Sequence, residues 1–252
     1  MNDVPGEWEK TSIKLFSDLA ASNISSAAKA GRNFQNSHSD YEGLILEDIW
    51  KKISPRDNQR ILDLGCGCGP LADQIIARCK SQGNELTLFD NEAVISQIYD
   101  VEKDSTKLFF KSGVFPYDRN LLGSKRFDSI ILYSVIQYVT NPKNLIEILI
   151  DYLEPGGHLL IGDIPNPDKK RRFLSTKYGE EINTKYQSAS NSTVPSKSKA
   201  EGGPPVELND EFILSICGFM RTRGCESFLL PQPSGLPFNN SREDILVVRN
   251  YE

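Results

Sequence analysis

Ile61-Leu62-Asp63-Leu64-Gly65-Cys66-Gly67-Cys68-Gly69-Pro70 decides how this chain is read. An apolar run ends in three glycines spaced two apart, and a proline follows at once. Alternating glycines let a backbone take positive φ and approach a ligand closely, where a Cβ would clash. Pro70 suits the first position of a helix, where its missing N–H costs nothing. Leu71, Ile75 and Ile76 then recur at the spacing of a helix that lays one face on a sheet. Strand, glycine turn and helix together are the unit at which α/β proteins hold a nucleotide-like cofactor.

Two cofactor classes use such a unit, and spacing separates them. The dinucleotide fingerprint is G-x-G-x-x-G, whereas this turn is G-x-G-x-G. Asp63 stands two positions before the first glycine, and Asp90 ends the next apolar run, Glu85-Leu86-Thr87-Leu88-Phe89-Asp90. Asp63, Gly65, Gly67, Gly69 and Asp90 resemble the class I methyltransferase family, which binds S-adenosylmethionine. The resemblance implies that Asp63, Gly65, Cys66, Gly67 and Gly69 line the methionine end of that cofactor. It implies that Asp90, with Asn91 beside it, meets the ribose hydroxyls, since the two oxygens of a carboxylate accept two donors at once.

Apolar segments alternate with helical ones along the rest of the chain, as an α/β domain requires. Strands are expected at 108–110, 127–134, 158–163, 227–230 and 244–249, with a helix over 144–153 closed by Pro155-Gly156-Gly157. Leu153-Glu154-Pro155-Gly156-Gly157 before the fifth strand again looks like the methyltransferase family. By that resemblance the fold is an α/β three-layer sandwich around a seven-stranded mixed sheet, its last two strands a reversed hairpin at one edge. The likeness covers roughly residues 57–167 and 211–250. One domain is expected, with a helical cap over 1–56, a cofactor-binding core over 57–167, an insertion over 168–210 and a C-terminal helix and hairpin over 211–252.

The family also suggests positions for chemistry. Ser112, Gly113 and Val114 end the third strand without the acid that many members use for the adenine amino group, which leaves backbone contacts at Ser112 or Val114. Tyr133 and Ser134 stand where the fourth strand opens beside the cofactor, and Gln137 and Tyr138 follow on the acceptor side. Asp163, ending the fifth strand, is the candidate general base for a hydroxyl acceptor, with Tyr133 a second catalytic candidate. A structural cap for Asp163 and a core role for Tyr133 and Tyr138 are the competing readings. The fourth strand lacks the Asn/Asp-Pro-Pro-aromatic motif of amine methyltransferases of nucleic acid. His158 begins its strand at the opposite edge and reads as structural.

Outside the core, Trp8, Ile13, Phe16 and Leu19 suit one amphipathic helix, and Tyr41, Leu44, Ile45, Ile49 and Trp50 a second. His38 and Tyr41, in the loop leading to the second helix, are candidate substrate contacts. Residues 165–208 are rich in Ser, Pro, Gly, Lys and Asn and show little periodicity. Such a connection is either a substrate-covering lid or a solvated insertion. It carries Lys169-Lys170-Arg171-Arg172, and Arg171 and Arg172 are candidates for phosphate recognition because an arginine fork matches phosphate.

Composition narrows the classes. The chain has 252 residues, a formal net charge of −5, and no apolar run approaching the ~20 residues of a membrane span. That charge offers no global attraction to nucleic acid, and the first residues lack a signal-peptide pattern, so a cytoplasmic protein is expected. Five cysteines and two histidines are too scattered for a ligand set, so no metal is expected. The expected activity is S-adenosylmethionine-dependent methylation of a small molecule, at oxygen, with a phosphorylated acceptor in view and no membrane partner. Gly162-Asp163-Ile164-Pro165-Asn166 with the basic cluster, and Ser241-Arg242-Glu243-Asp244 before the last strand, look similar to methyltransferases of bacterial surface-polysaccharide pathways. That likeness implies sugar, sugar-nucleotide or polyol-phosphate acceptors. A natural-product or tRNA methyltransferase, a nicotinamide oxidoreductase, and a cofactor-binding protein without turnover are the alternatives. Oligomeric state stays open, a homodimer included.

Overall fold

A computed structural model describes residues 4–22, 24, 41–102, 105–189, 205–236 and 238–251. Helices α1 (Glu7–Ala21) and α2 (Tyr41–Ile53) precede β1 (Arg60–Leu64), α3 (Pro70–Ser81), β2 (Glu85–Asp90), α4 (Glu92–Glu102) and β3 (Leu108–Ser112). Then come β4 (Phe127–Tyr133), α5 (Pro142–Asp151), β5 (Leu153–Pro165), α6 (Pro167–Leu174) and α7 (Lys177–Ala189). The chain closes with α8 (Asp210–Thr222), β6 (Cys225–Leu230) and β7 (Arg242–Arg249). All seven strands form one sheet in the order β3-β2-β1-β4-β5-β7-β6, in which β7 alone is reversed.

Period-two alternation divides the apolar residues of the central strands between the two faces. Ile61, Leu86, Leu88, Ile131 and Leu160 pack with α2, α3 and α4 on one side. Leu62, Ile130, Leu132, Leu159 and Ile161 pack with α5 and α8 on the other. This is the three-layer sandwich and seven-stranded mixed sheet expected from the sequence. Strand order reverses direction between β1 and β4, and in open α/β sheets the crevice beyond such a switch point takes the ligand.

Several boundaries differ from expectation. The fifth strand starts at Leu153, so Pro155-Gly156-Gly157 lies inside β5, where its pairing with β4 shifts register between Phe127 and Ser129. The insertion opens with two helices instead of an aperiodic loop. Asn166 caps α6 by accepting the N–H groups of Asp168 and Lys169 at 2.9 and 3.1 Å, and Pro167 takes the first helical position. No residue of α6 is buried, so it carries no apolar stripe for periodicity to find. Residues 190–204 of the expected insertion lie outside the described residues.

Gly65, at φ +73°, is where β1 meets the loop after β4. A Cβ there would stand 2.4 Å from Val135 Cγ2, whereas one on Gly67, at φ +63°, would meet nothing within 4 Å. Gly65→Ala therefore combines left-handed strain with a collision and is expected to cost at least about 2 kcal/mol. Gly67→Ala carries the strain alone, about 1–2 kcal/mol. Chemical denaturation of the two variants side by side checks this order.

Candidate active site

The glycine turn is tied to the end of β2 by two hydrogen bonds. Gly65 donates its N–H to the Phe89 carbonyl at 2.8 Å, and Gly67 donates to Asp90 Oδ2 at 2.9 Å. Asp90 Oδ1 accepts from the Asn91 backbone at 2.7 Å and the Asn91 side chain at 3.0 Å. Burial holds the Asp90 carboxyl above the usual carboxylate value, although these donors pull it down. Asp63 is 3% exposed, beneath the turn. Burial first, and then Asp90 and Asp63, push the Cys66 thiol well up, so Cys66 is a neutral small side chain and no nucleophile.

Across the switch point, the residue after β4, Ser134 at φ 61°, and a residue inside β5, Asp163 at φ 58°, both have left-handed backbone; β5 runs on to Pro165 and does not end at Asp163 as expected. Ser134 Oγ donates to Asp163 Oδ2. Strained backbone of this kind persists where surrounding structure over-determines it and clusters at functional sites. Tyr133, 6% exposed, packs its ring against Gly162, where a Cβ would stand 2.3 Å from the ring. Its hydroxyl meets Gln232 Nε2 at 3.4 Å, so Tyr133 belongs to a buried network below the crevice.

Other candidates are accounted for inside the chain. Gln137 donates from Nε2 to the Ser134 carbonyl at 2.8 Å, and Tyr138 stacks edge-on against Phe16 with centroids 4.9 Å apart. Val114 donates its N–H to Asp118 Oδ2 at 2.7 Å and accepts from the Asp118 N–H at 2.9 Å, while Gly113 donates to the Asp90 carbonyl. The Val114 N–H is thus engaged in a closed turn while its carbonyl keeps a second lone pair, and Ser112, exposed, is the last residue of β3, paired with Asp90. Arg171 pairs with Asp168 at 2.7 Å, and Arg172 pairs with Asp210. Arg172 first, and then Asn166, hold the Asp210 carboxyl below its usual value. Tyr41 is the first residue of α2, not part of the loop before it, and packs half-buried against the cluster that Cys66 and Cys68 also join. His38 lies outside the described residues. His158 is half-buried, and burial lowers its pKa against a hydrogen bond to the Ile53 backbone.

The rim contains a polar device that apolar periodicity does not register. The buried residues of α1 are Glu9, Ser12 and Ala20, while Trp8, Ile13, Phe16 and Leu19 are only half-buried. Glu9 Oε2 accepts from Tyr117 Oη at 2.7 Å and Gly6 N–H at 3.0 Å, and Oε1 accepts from Thr140 N–H at 3.0 Å. Burial first, and Glu9 second, push the Tyr117 hydroxyl up to about 12. Trp8 Nε1 donates to the Gln137 carbonyl at 3.1 Å, and Ser17 Oγ to Asn91 Oδ1 at 3.3 Å. One helix therefore touches the loops after β2, β3 and β4. Gln232 and Asp244, which touch Asp163, and Lys52, which pairs with Asp244, were not singled out as site residues by the sequence reading. The one signal for Asp244 was an acid heading the apolar run 245–248.

Among the described residues, no helix is long and apolar enough to cross a membrane. A family profile described as a methyltransferase domain matches residues 38–194, more than half of the chain. A ubiquinone biosynthesis O-methyltransferase, mitochondrial, of Dictyostelium discoideum is 23% identical over 128 residues, 48% of this chain and 38% of that protein. The chain thus spans well under two thirds of that relative's length. Among solved structures, the plantazolicin methyltransferase BamL with a triazolic desmethylPZN analog and S-adenosylhomocysteine superposes with a TM-score of 0.62 at 16% identity, covering 97% of both chains. The N-methyltransferase NodS of Bradyrhizobium japonicum WM9 with S-adenosylhomocysteine gives 0.56 at 15% identity, covering 96% of this chain and 100% of that one. At these identities the structural likeness bears on fold.

Glu9→Ala is expected to leave the Tyr117 hydroxyl and Thr140 N–H without an acceptor, at a cost of about 1–3 kcal/mol. Loss of α1 docking would appear as a red shift of Trp8 emission, read in a Trp50→Phe background, before the denaturation midpoint is reached.

Proposed function

Because the chain belongs to the methyltransferase-domain family, we propose that it methylates an acidic hydroxyl, a phenol or an enol, of a small molecule. S-adenosylmethionine is its cofactor. The carrying observation is the meeting, at one switch point, of a glycine turn closed by Asp90 and the Asp163 carboxylate held by Ser134. The residues fit the cofactor on two counts. Open space lies where a Cβ on Gly67 would stand, and Asp90 Oδ2 keeps acceptor capacity beyond its single bond to Gly67.

When bound, S-adenosylmethionine supplies a sulfonium methyl that is already a strong electrophile. The chain's work is orientation, which alone can supply ~7–11 kcal/mol. Gly65, Gly67 and Gly69, with Asp63 beneath, receive the methionine end, and Asp90 takes ribose hydroxyls. Asp163 accepts the acceptor's hydroxyl proton. An acidic acceptor gives up its proton more readily: a phenol has a pKa of about 10, whereas an alcohol is a far weaker acid. The relative from Dictyostelium is named as an O-methyltransferase, which agrees with oxygen as the acceptor atom.

Methylation of sugars, sugar nucleotides or polyol phosphates in a surface-polysaccharide pathway is the finer reading that rests on the basic cluster. Arg171 and Arg172 already meet carboxylates, and Lys169 lies 3.8 Å from Glu243 and donates to the Arg242 carbonyl. A phosphate would have to compete with these partners, although exposed pairs of this kind are weak. We therefore rank phosphate recognition below a neutral acidic hydroxyl.

Calorimetric titration with S-adenosylhomocysteine tests the cofactor site, with Asp90→Ala expected to weaken binding at least about tenfold. Binding should also decline on acidification from a pH above the ordinary aspartate value of 3.8, because Asp90 protonates early. The unliganded chain follows the opposite sign. A raised carboxyl costs stability while ionised, and that cost disappears as it protonates.

Turnover is tested with labelled S-adenosylmethionine against catechol, caffeate and glucose 6-phosphate. Methylation of the phenols alone is expected, and Asp163→Asn should lower kcat by about a hundredfold with S-adenosylhomocysteine affinity kept. Methylation of glucose 6-phosphate alone would reinstate the sugar reading. Cofactor binding with no transfer to any of the three would leave a binding protein.

A further inference from the structure

Strands β5 and β7 pair in register through Ile161↔Ile245 and again from Ile164↔Glu243, so Gly162 and Asp163 together face Asp244 alone. Two residues against one is a β-bulge, which bends a strand and re-aims a side chain. Here the bulge points Asp163 at Ser134. Asp244 Oδ1 accepts the Asp163 N–H at 2.8 Å, and Asp244 Oδ2 receives Lys52 Nζ at 2.6 Å. Lys52 is held in turn by Asp48 Oδ2 at 2.5 Å and the Pro231 carbonyl at 3.0 Å.

Gln232, 7% exposed, sits in the middle of this arrangement. Its Nε2 lies 3.2 Å from Asp244 Oδ1, 3.4 Å from Asp163 Oδ1 and 3.4 Å from Tyr133 Oη. Two carboxylates this close repel each other in a poorly solvated setting. The amide is a neutral donor between them. Arg242 Nε, 3.7 Å from Asp163 Oδ1, approaches the same carboxylate.

We propose that Gln232 is a positioning residue for the reaction: its amide fixes the Asp163 carboxylate against Ser134, while Asp244 and Lys52 fix the bulge that carries it. The proposal rests on Asp163 as the general base. Gln232 touches no reacting atom, so its effect falls on the chemical step and not on binding. A residue of this kind lowers kcat when removed and leaves ground-state binding alone.

The test measures catechol methylation and S-adenosylhomocysteine affinity in the full chain and in Asp163→Asn, Gln232→Leu and Gln232→Met. Gln232→Leu is expected to lower kcat about tenfold, with KM for catechol and S-adenosylhomocysteine affinity within about twofold of the parent. Gln232→Met keeps length and volume, removes the donor and adds no charge. It should fold and show the same fall in kcat, which keeps the proposal open to test if the leucine variant does not fold. If the Gln232 variants keep full kcat, or lose cofactor affinity in parallel with kcat, the positioning role is overturned while the base reading stands. Undiminished turnover in Asp163→Asn, or no catechol methylation by the parent chain, overturns the base reading and this proposal with it.

Discussion

A carboxylate without any solvent exposure, Asp244, is the constraint around which the site is assembled. Burying an ion costs several kcal/mol unless a partner of opposite charge and further hydrogen bonds meet it. Lys52 supplies the charge and the bulged Asp163 N–H supplies a donor. Lys52 comes from α2, Asp163 from β5, and Gln232 from the segment between β6 and β7. Four parts of the chain are fixed relative to one another because one anion must be satisfied. Asp48 shares the tension: burial raises its carboxyl while Lys52 pulls it down.

The opposite rim follows a similar logic with a different result. Helix α1 turns glutamate and serine inward where an ordinary surface helix turns leucine, because what it meets are the ends of loops with unpaired N–H and hydroxyl groups. Its contacts fall on Asn91, Tyr117, Gln137 and Thr140. These residues belong to the loops that lie over the cofactor crevice. The helix therefore shapes that crevice through hydrogen bonds, which are directional, and only partly through apolar contact.

Where local chemistry decides structure, the sequence was legible. The glycine turn, Pro70 at the helix start and the apolar runs of β1, β2, β4 and β5 each carry a signature within a few residues, and the seven-stranded mixed sheet with its closing hairpin followed from the family resemblance they support. The positions of Asp90 and Asp163 were legible for the same reason, since each closes an apolar run at one edge of the sheet. Long-range pairing was not legible. Nothing near Lys52 announces Asp244, and nothing near Glu9 announces Tyr117. Helix α6 was missed for a smaller reason: its cap, Asn166-Pro167, is local and readable, but it has no apolar stripe. The partners of Arg171 and Arg172, Asp168 and Asp210, were not legible either, because they become neighbours only once α6 and α8 are placed.

The reversal of β7 bears on how the molecule is made. Asp163 and the carboxylate that holds its N–H are 81 residues apart, and chains emerge from the ribosome at about 5–20 residues per second. While that interval is synthesised, β5 has no neighbour on its outer side and the bulge has no acceptor. A nascent chain can lay down β1 through β5 and their helices, yet Asp163 has its geometry only after β7 slides in between β5 and β6. That arrangement is thus acquired last, by insertion of a strand. A truncated or stalled product would carry the glycine turn and the crevice without the aligned carboxylate.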